Sequence, residues 1–113
     1  MTKSDASEER ALLERLVGIL AAEFDDVRAG TMFGWPAAYT GRRLAFCIRA
    51  SVIGVKLPEA EARRLIAAGE AAPFLPHGKP PMREWVEVPV DPEDLSGVLP
   101  LLSRSVRHVG GAP

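Results

Sequence analysis

His77, Lys79 and Arg83 stand close together in the run FLPHGKPPMREWVEVP, residues 74–89. A titratable ring, an ammonium and a guanidinium on one Pro/Gly-rich loop suit the capture of a phosphate or carboxylate. The run is not a P-loop, because the G-x-x-x-x-G-K-[ST] spacing is missing. The plainer reading is a solvated loop whose prolines and glycine set its path into a short strand around Trp85.

Cys47 is the sole cysteine, flanked at strand spacing by Arg43 and Arg49. Nearby cations lower a thiol pKa, but a nucleophilic cysteine also needs a base and a group to orient that base. The histidines, His77 and His108, are tied to Cys47 by no motif, so a small packing side chain is the favoured reading. Two distant histidines and one cysteine show no zinc-ligand spacing, and no metal site is expected. The carboxylate pairs Asp25-Asp26 and Glu93-Asp94 read as a helix exit and a helix cap rather than as acid–base machinery. No catalytic residue and no cofactor is assigned, and the expectation is a protein that is not an enzyme.

Several function classes recede on composition. The 113 residues make one domain, 1–113, with a net charge of −1, 47% apolar and 26% charged residues. That size buries roughly 60% or somewhat more of the unfolded surface, enough for one core. The balance lacks the strongly basic footprint of a dedicated nucleic-acid binder. One cysteine precludes an intrachain disulfide and suits a reducing compartment. The polar start MTKSDASEER offers no secretory signal, and no run approaches the ~20 apolar residues of a membrane span. The expected location is the cytoplasm.

The elements that must position these groups follow from periodicity. Residues 5–24 predict an amphipathic helix with Asp5 as N-cap, Leu13, Val17, Leu20 and Phe24 on one face, and Leu12, Leu16 and Ile19 widening the stripe. A strand is expected over Val27 to Phe33, with Gly30 as a weak point or bulge. Gly34-Trp35-Pro36 should turn the chain, and a short strand, Ala37 to Thr40, should precede a hairpin turn at Gly41. Arg43 to Ala50 alternates strictly, placing Leu44, Phe46, Ile48 and Ala50 toward the core and Ala45, Cys47 and Arg49 away from it. Val52 to Leu57 pairs with it, its Ile53, Val55 and Leu57 inward. A helix is bracketed by Pro58 and Gly69, Glu84 to Val88 is the last strand, and a turn at 92–95 leads to a helix from near Ser96 that places Pro100 early. Leu101, Leu102, Val106 and Val109 form its buried side. The fold class is α+β: a two-layer sandwich, mostly an antiparallel sheet of four or five strands, with helices on one face.

Period-two counting gathers Ala45, Cys47, Arg49, Gly54, Lys56, Trp85 and Glu87 on the reverse face. If open, that face suits a protein partner or a homodimer; the alternative is that a loop or terminal helix shields Trp85. The candidate binding residues are therefore His77, Lys79, Arg83, Trp85, Lys56 and Arg49.

Met32-Phe33-Gly34, Leu44-Ala45-Phe46, Val55-Lys56-Leu57-Pro58, Phe74, Pro76, Gly78-Lys79-Pro80 and Glu84-Trp85-Val86-x-Val88-Pro89 occur in that order. In order and spacing they resemble the N-terminal domain of the TfoX/Sxy family, bacterial competence regulators, from about Leu12 to Val109. The resemblance implies an α+β domain of this size in a transcriptional co-regulator, with the transcription machinery as partner. Family members of that name carry a second, helical domain; here the expectation is a stand-alone domain. The resemblance supplies no catalytic residues. Two rival readings remain: nucleic-acid binding through Arg42, Arg43, Lys79, Arg83, Arg104 and Arg107, and a small anionic-ligand binder or enzyme with a pocket near Lys79 and Trp85.

Overall fold

The computed structural model describes residues 2–74 and 83–110, with side chains from residue 7 onward. They form α1 (Thr2–Leu20), β1 (Val27–Met32), β2 (Trp35–Thr40), β3 (Arg43–Arg49), β4 (Val52–Lys56), α2 (Glu59–Ala67), β5 (Ala72–Pro73), β6 (Trp85–Pro89) and α3 (Leu99–Gly110), with a 3₁₀ turn, Leu95–Gly97, ahead of α3. The strands make one antiparallel sheet in the order β1-β2-β3-β4-β6-β5. All three helices contribute to one core against one sheet face, through Leu13, Leu16, Ala62, Leu65, Leu102 and Val106 among others. This is the expected α+β layering, with the two-residue β5 as an added edge strand.

The start of α1 differs from expectation, since Asp5 lies within the helix rather than capping it. Ile19, expected in the stripe, is 45% exposed, because Leu12, Leu13, Leu16 and Leu20 already fill the buried arc. The helix signals around α2 are sharper. Pro58 is its N-cap, one position before the helix, and Gly69 follows the C-cap with φ +77. Gly69 N–H donates to the Ile66 carbonyl and Glu70 N–H to Leu65, the reciprocal closure that favours glycine here. Pro100 is the second residue of α3, where a missing N–H removes no intrahelical bond. Asp94 caps the preceding 3₁₀ turn by accepting from Ser96 N–H at 3.2 Å.

Two local devices at the β1 end escape simple alternation. The first turn is Phe33-Gly34, with φ +53 and +83, between the paired Met32 and Trp35. Positive φ at both central residues is the two-residue hairpin turn whose twist matches its strands, so Trp35 and Pro36 belong to β2 and not to the turn. Gly30 forms no bulge, being paired in unbroken register with Ala37. What it provides is space: a Cβ there would stand 3.2 Å from the Tyr39 ring. That ring lies across Gly30 and donates its hydroxyl to the Thr31 carbonyl at 2.7 Å.

The bulge lies instead in β3. Ala38 opposes Phe46 and Tyr39 opposes Leu44, leaving Ala45 unmatched on β2. Both Ala45 and Phe46 therefore pack in the helix-side core, while Leu44 moves to the reverse face beside Cys47. This corrects the alternating assignment of Leu44 and Ala45, since an extra residue shifts every side chain beyond it by one face. Ala45 has no partner on β2, and its carbonyl accepts from the fully buried Ser105 hydroxyl of α3 at 2.9 Å. Replacing Ser105 with Ala removes that buried hydrogen bond and should cost about 0.5–1.5 kcal/mol in urea unfolding. Ser103→Ala, at a half-buried position of the same helix, should stay within about 0.5 kcal/mol of wild type.

Candidate functional site

The reverse sheet face is not open at Trp85. The indole is 6% exposed and joins Ala37, Cys47 and Phe74 in a second buried cluster, with Met32, Trp35, Tyr39 and Leu44 at its margins. Of the two alternatives for this face, shielding holds at Trp85, and the shield is the segment that follows α2. Ala72 pairs with Glu87 and Pro73 with Val86, so the chain runs along the outer edge of β6. Phe74 then turns its ring onto the sheet, 2% exposed and stacked on Trp85 with centroids 5.3 Å apart and planes at 27°.

Gly54 makes that placement possible. It sits on β4 opposite Cys47 on one side and Glu87 on the other. A Cβ there would lie 2.6 Å from the Phe74 ring, closer than real Cβ contacts come. No positive φ is involved; the constraint is the close approach of a ring to the backbone.

Arg49 closes the cluster on its solvent side. Its guanidinium lies 5.1 Å from the Trp35 ring centroid and 5.9 Å from that of Phe74, and it pairs with Glu87 Oε1 at 3.0 Å. Both charged side chains are about two-thirds or more buried, and cation–π attraction grows as the cation loses water. Arg49 was singled out in sequence; its partners Trp35, Phe74 and Glu87 were not all recognised. Trp35 escapes the sequence reading because Gly34-Trp35-Pro36 has the composition of a turn. The signal that would have found it was Phe33-Gly34, an X-Gly pair between two apolar runs.

The remaining candidates fall as follows. Lys56 is half-buried and paired in register with Trp85, while Arg83 is exposed just before β6. His77 and Lys79 lie outside the described residues. Lys56, Arg49 and Trp85 therefore share one sheet face. The six cations of the nucleic-acid reading are not gathered in the same way. Arg104 pairs with Glu61, and Arg107 pairs with Glu23 at 2.9 Å and stacks on Phe24. Arg42 and Arg43 lie at the β2–β3 turn, and Lys79 is outside the described residues. Two hollows formed by described residues, of about 510 and 320 Å³, lie between α2, β6 and α3 and beside the β3–β4 turn; neither is lined by Arg83 or Trp85.

Burial is the largest influence on the thiol. Cys47 is fully buried, and desolvation pushes its pKa up to about 11, outweighing a backbone hydrogen bond from Gly54 and the field of Arg49. The cation expected to activate the thiol is present, but the loss of water is the larger effect. Asp94, the other shifted group, is held below the usual carboxylate range by its bonds to Ser96, in keeping with its role as a cap. Among the described residues no group of three or more His, Cys, Asp or Glu is placed to hold a metal, and no helix is long and apolar enough to cross a membrane. Compared with known proteins, the chain matches no family profile, no curated protein and no solved structure.

Two outcomes follow from this packing. Gly54→Ala should lose about 1–3 kcal/mol by overpacking against Phe74, and less in a Phe74→Ala background because the two changes share one contact. The Cys47 thiol also sets a sign for alkaline stability. A thiol whose folded pKa is raised loses stability once pH climbs past its ordinary value near 9.0, and the loss continues to about 11. Within that window wild type should fall relative to Cys47→Ala by about 1.4 kcal/mol per pH unit in urea titrations, while below it the difference stays constant.

Proposed function

We propose that this chain is a non-catalytic binding domain of the TfoX/Sxy N-terminal type, acting in the cytoplasm through protein contacts in transcription regulation. The observation that carries the protein-contact reading is Phe33. It stands at the tip of the β1–β2 hairpin, 71% exposed, with φ +53. Left-handed backbone costs a non-glycine residue roughly 1–2 kcal/mol, and Asn or Asp is the ordinary choice at this turn position. A large exposed aromatic in a strained turn suits an anchor whose burial comes on binding. It stands edge-on to Trp35, centroids 6.4 Å apart, and Trp35 in turn contacts Arg49, so the tip is continuous with the reverse-face cluster.

The transcriptional part of the reading rests on the ordered resemblance of Met32-Phe33-Gly34 through Trp85-Val86-x-Val88-Pro89. Direct nucleic-acid binding is less favoured, because Arg104 and Arg107 are engaged by carboxylates. Use of Cys47 as a nucleophile is disfavoured by its burial and raised pKa.

Tagged wild type and Phe33→Asn, used as parallel baits in an extract of the source cell, test this reading. Wild type should retain a DNA-binding protein or RNA polymerase. Phe33→Asn should lose it while its Tm stays level or rises, since Asn suits the turn. Equal capture by both baits, or capture of no such protein by wild type, contradicts it.

A further inference from the structure

Phe74 is held in place by few backbone bonds. β5 is two residues long and exposed at both. By contrast β6 pairs along its whole length with β4 on its other side. Among the described residues, what fastens the strap 72–74 to the sheet is chiefly one ring in one seat: Gly54 beneath it, Trp85 stacked against it, Arg49 beside it. Segments with few buried contacts open at lower free energy than the global unfolding of the domain. Once the ring leaves, the outer edge of β6 and a ring-sized apolar slot next to a guanidinium are exposed together.

We propose that the strap 72–74 lifts while the sheet stays folded, and that the seat it vacates is a binding site for an aromatic side chain carried on an extended peptide. The chain's own Ala72-Pro73-Phe74 defines the chemistry of that ligand. It lies antiparallel to β6 with backbone pairing and one aromatic anchor, the arrangement by which a foreign strand adds to a sheet edge. The slot selects a flat ring because its floor lacks a Cβ and its wall is an indole. Arg49 adds a cation over the ring and remains held by Glu87. This site does not depend on the Phe33 reading: a protein whose hairpin tip captured nothing could still accept a peptide here, and the converse also holds.

Cys47 reports the opening without any added label, since it lies fully buried in the same cluster as Phe74. In native buffer, its modification by a thiol reagent should proceed at a rate nearly independent of low urea, because little surface is exposed on opening. A rate that follows the full urea dependence of global unfolding overturns the lifting strap. Phe74→Ala, shown to be folded by circular dichroism, should raise the rate at least tenfold. If that variant does not fold, the urea dependence in wild type decides alone.

Occupation is tested with a capped peptide of the sequence of residues 70–74. Added to Phe74→Ala it should restore protection of Cys47, whereas the same peptide with Ala for Phe should not. Equal protection by both peptides, or by neither, overturns the peptide site. Should Phe74→Ala not fold, the Phe-containing peptide in excess should slow Cys47 modification in wild type by filling the seat whenever the strap lifts, while the Ala peptide should not, and the absence of a difference between the two overturns it.

Discussion

The contact between the Phe74 ring and the bare backbone of Gly54 determines the second half of this molecule. A sheet presents two faces, and the helices among the described residues serve only one of them. The other would leave Trp85, Cys47 and Ala37 in water, a liability in a small domain. Phe74 lies flat where no Cβ intervenes, stacked on the indole and packed in one cluster with the thiol. The raised pKa of Cys47, the partial burial of Arg49 and the closed outer edge of β6 all follow from that one seat.

The charged groups around the seat act through geometry more than energy. Most ion pairs among the described residues, such as Arg63–Glu59 and Arg107–Glu23, are exposed, and pairs of that kind contribute about 0–1 kcal/mol. Arg49–Glu87 differs because rings flank the guanidinium and exclude water from part of it. Its worth lies in fixing the position of a cation between the hairpin and the strap. Trp35 and Phe74 touch the same guanidinium from different elements, and so the β1–β2 hairpin and the 72–74 strap are coupled through it.

Much of the layering was legible in sequence because it rests on long, strongly periodic segments. The stripe of α1, the Pro58 and Gly69 brackets of α2, and the alternation of β4 and β6 each follow from local chemistry that tertiary packing did not override. The misplacements share a cause. Leu44, Phe46 and Ile48 alternate so regularly that nothing in β3 announces an extra residue; the bulge at Ala45 is matched by a serine sixty positions away in α3. Phe74 read as a loop residue because its partner, a glycine on β4, becomes informative only when the two are brought together. Trp85 was assigned to the correct face, but what covers that face is a tertiary fact. The loop pair His77 and Lys79 lies outside the described residues; of the other candidates, Arg49, Lys56 and Trp85 share one sheet face.

The account as a whole requires the aromatic ring to lie on Gly54. A nuclear Overhauser spectrum of the folded chain measures this directly. Cross-peaks should join the Phe74 ring protons to the Gly54 Hα protons and to the indole of Trp85, and ring current should move at least one Gly54 Hα well upfield. Absence of those cross-peaks, with Gly54 Hα at its unstructured position, would mean the ring lies elsewhere and the reverse face is organised by some other contact.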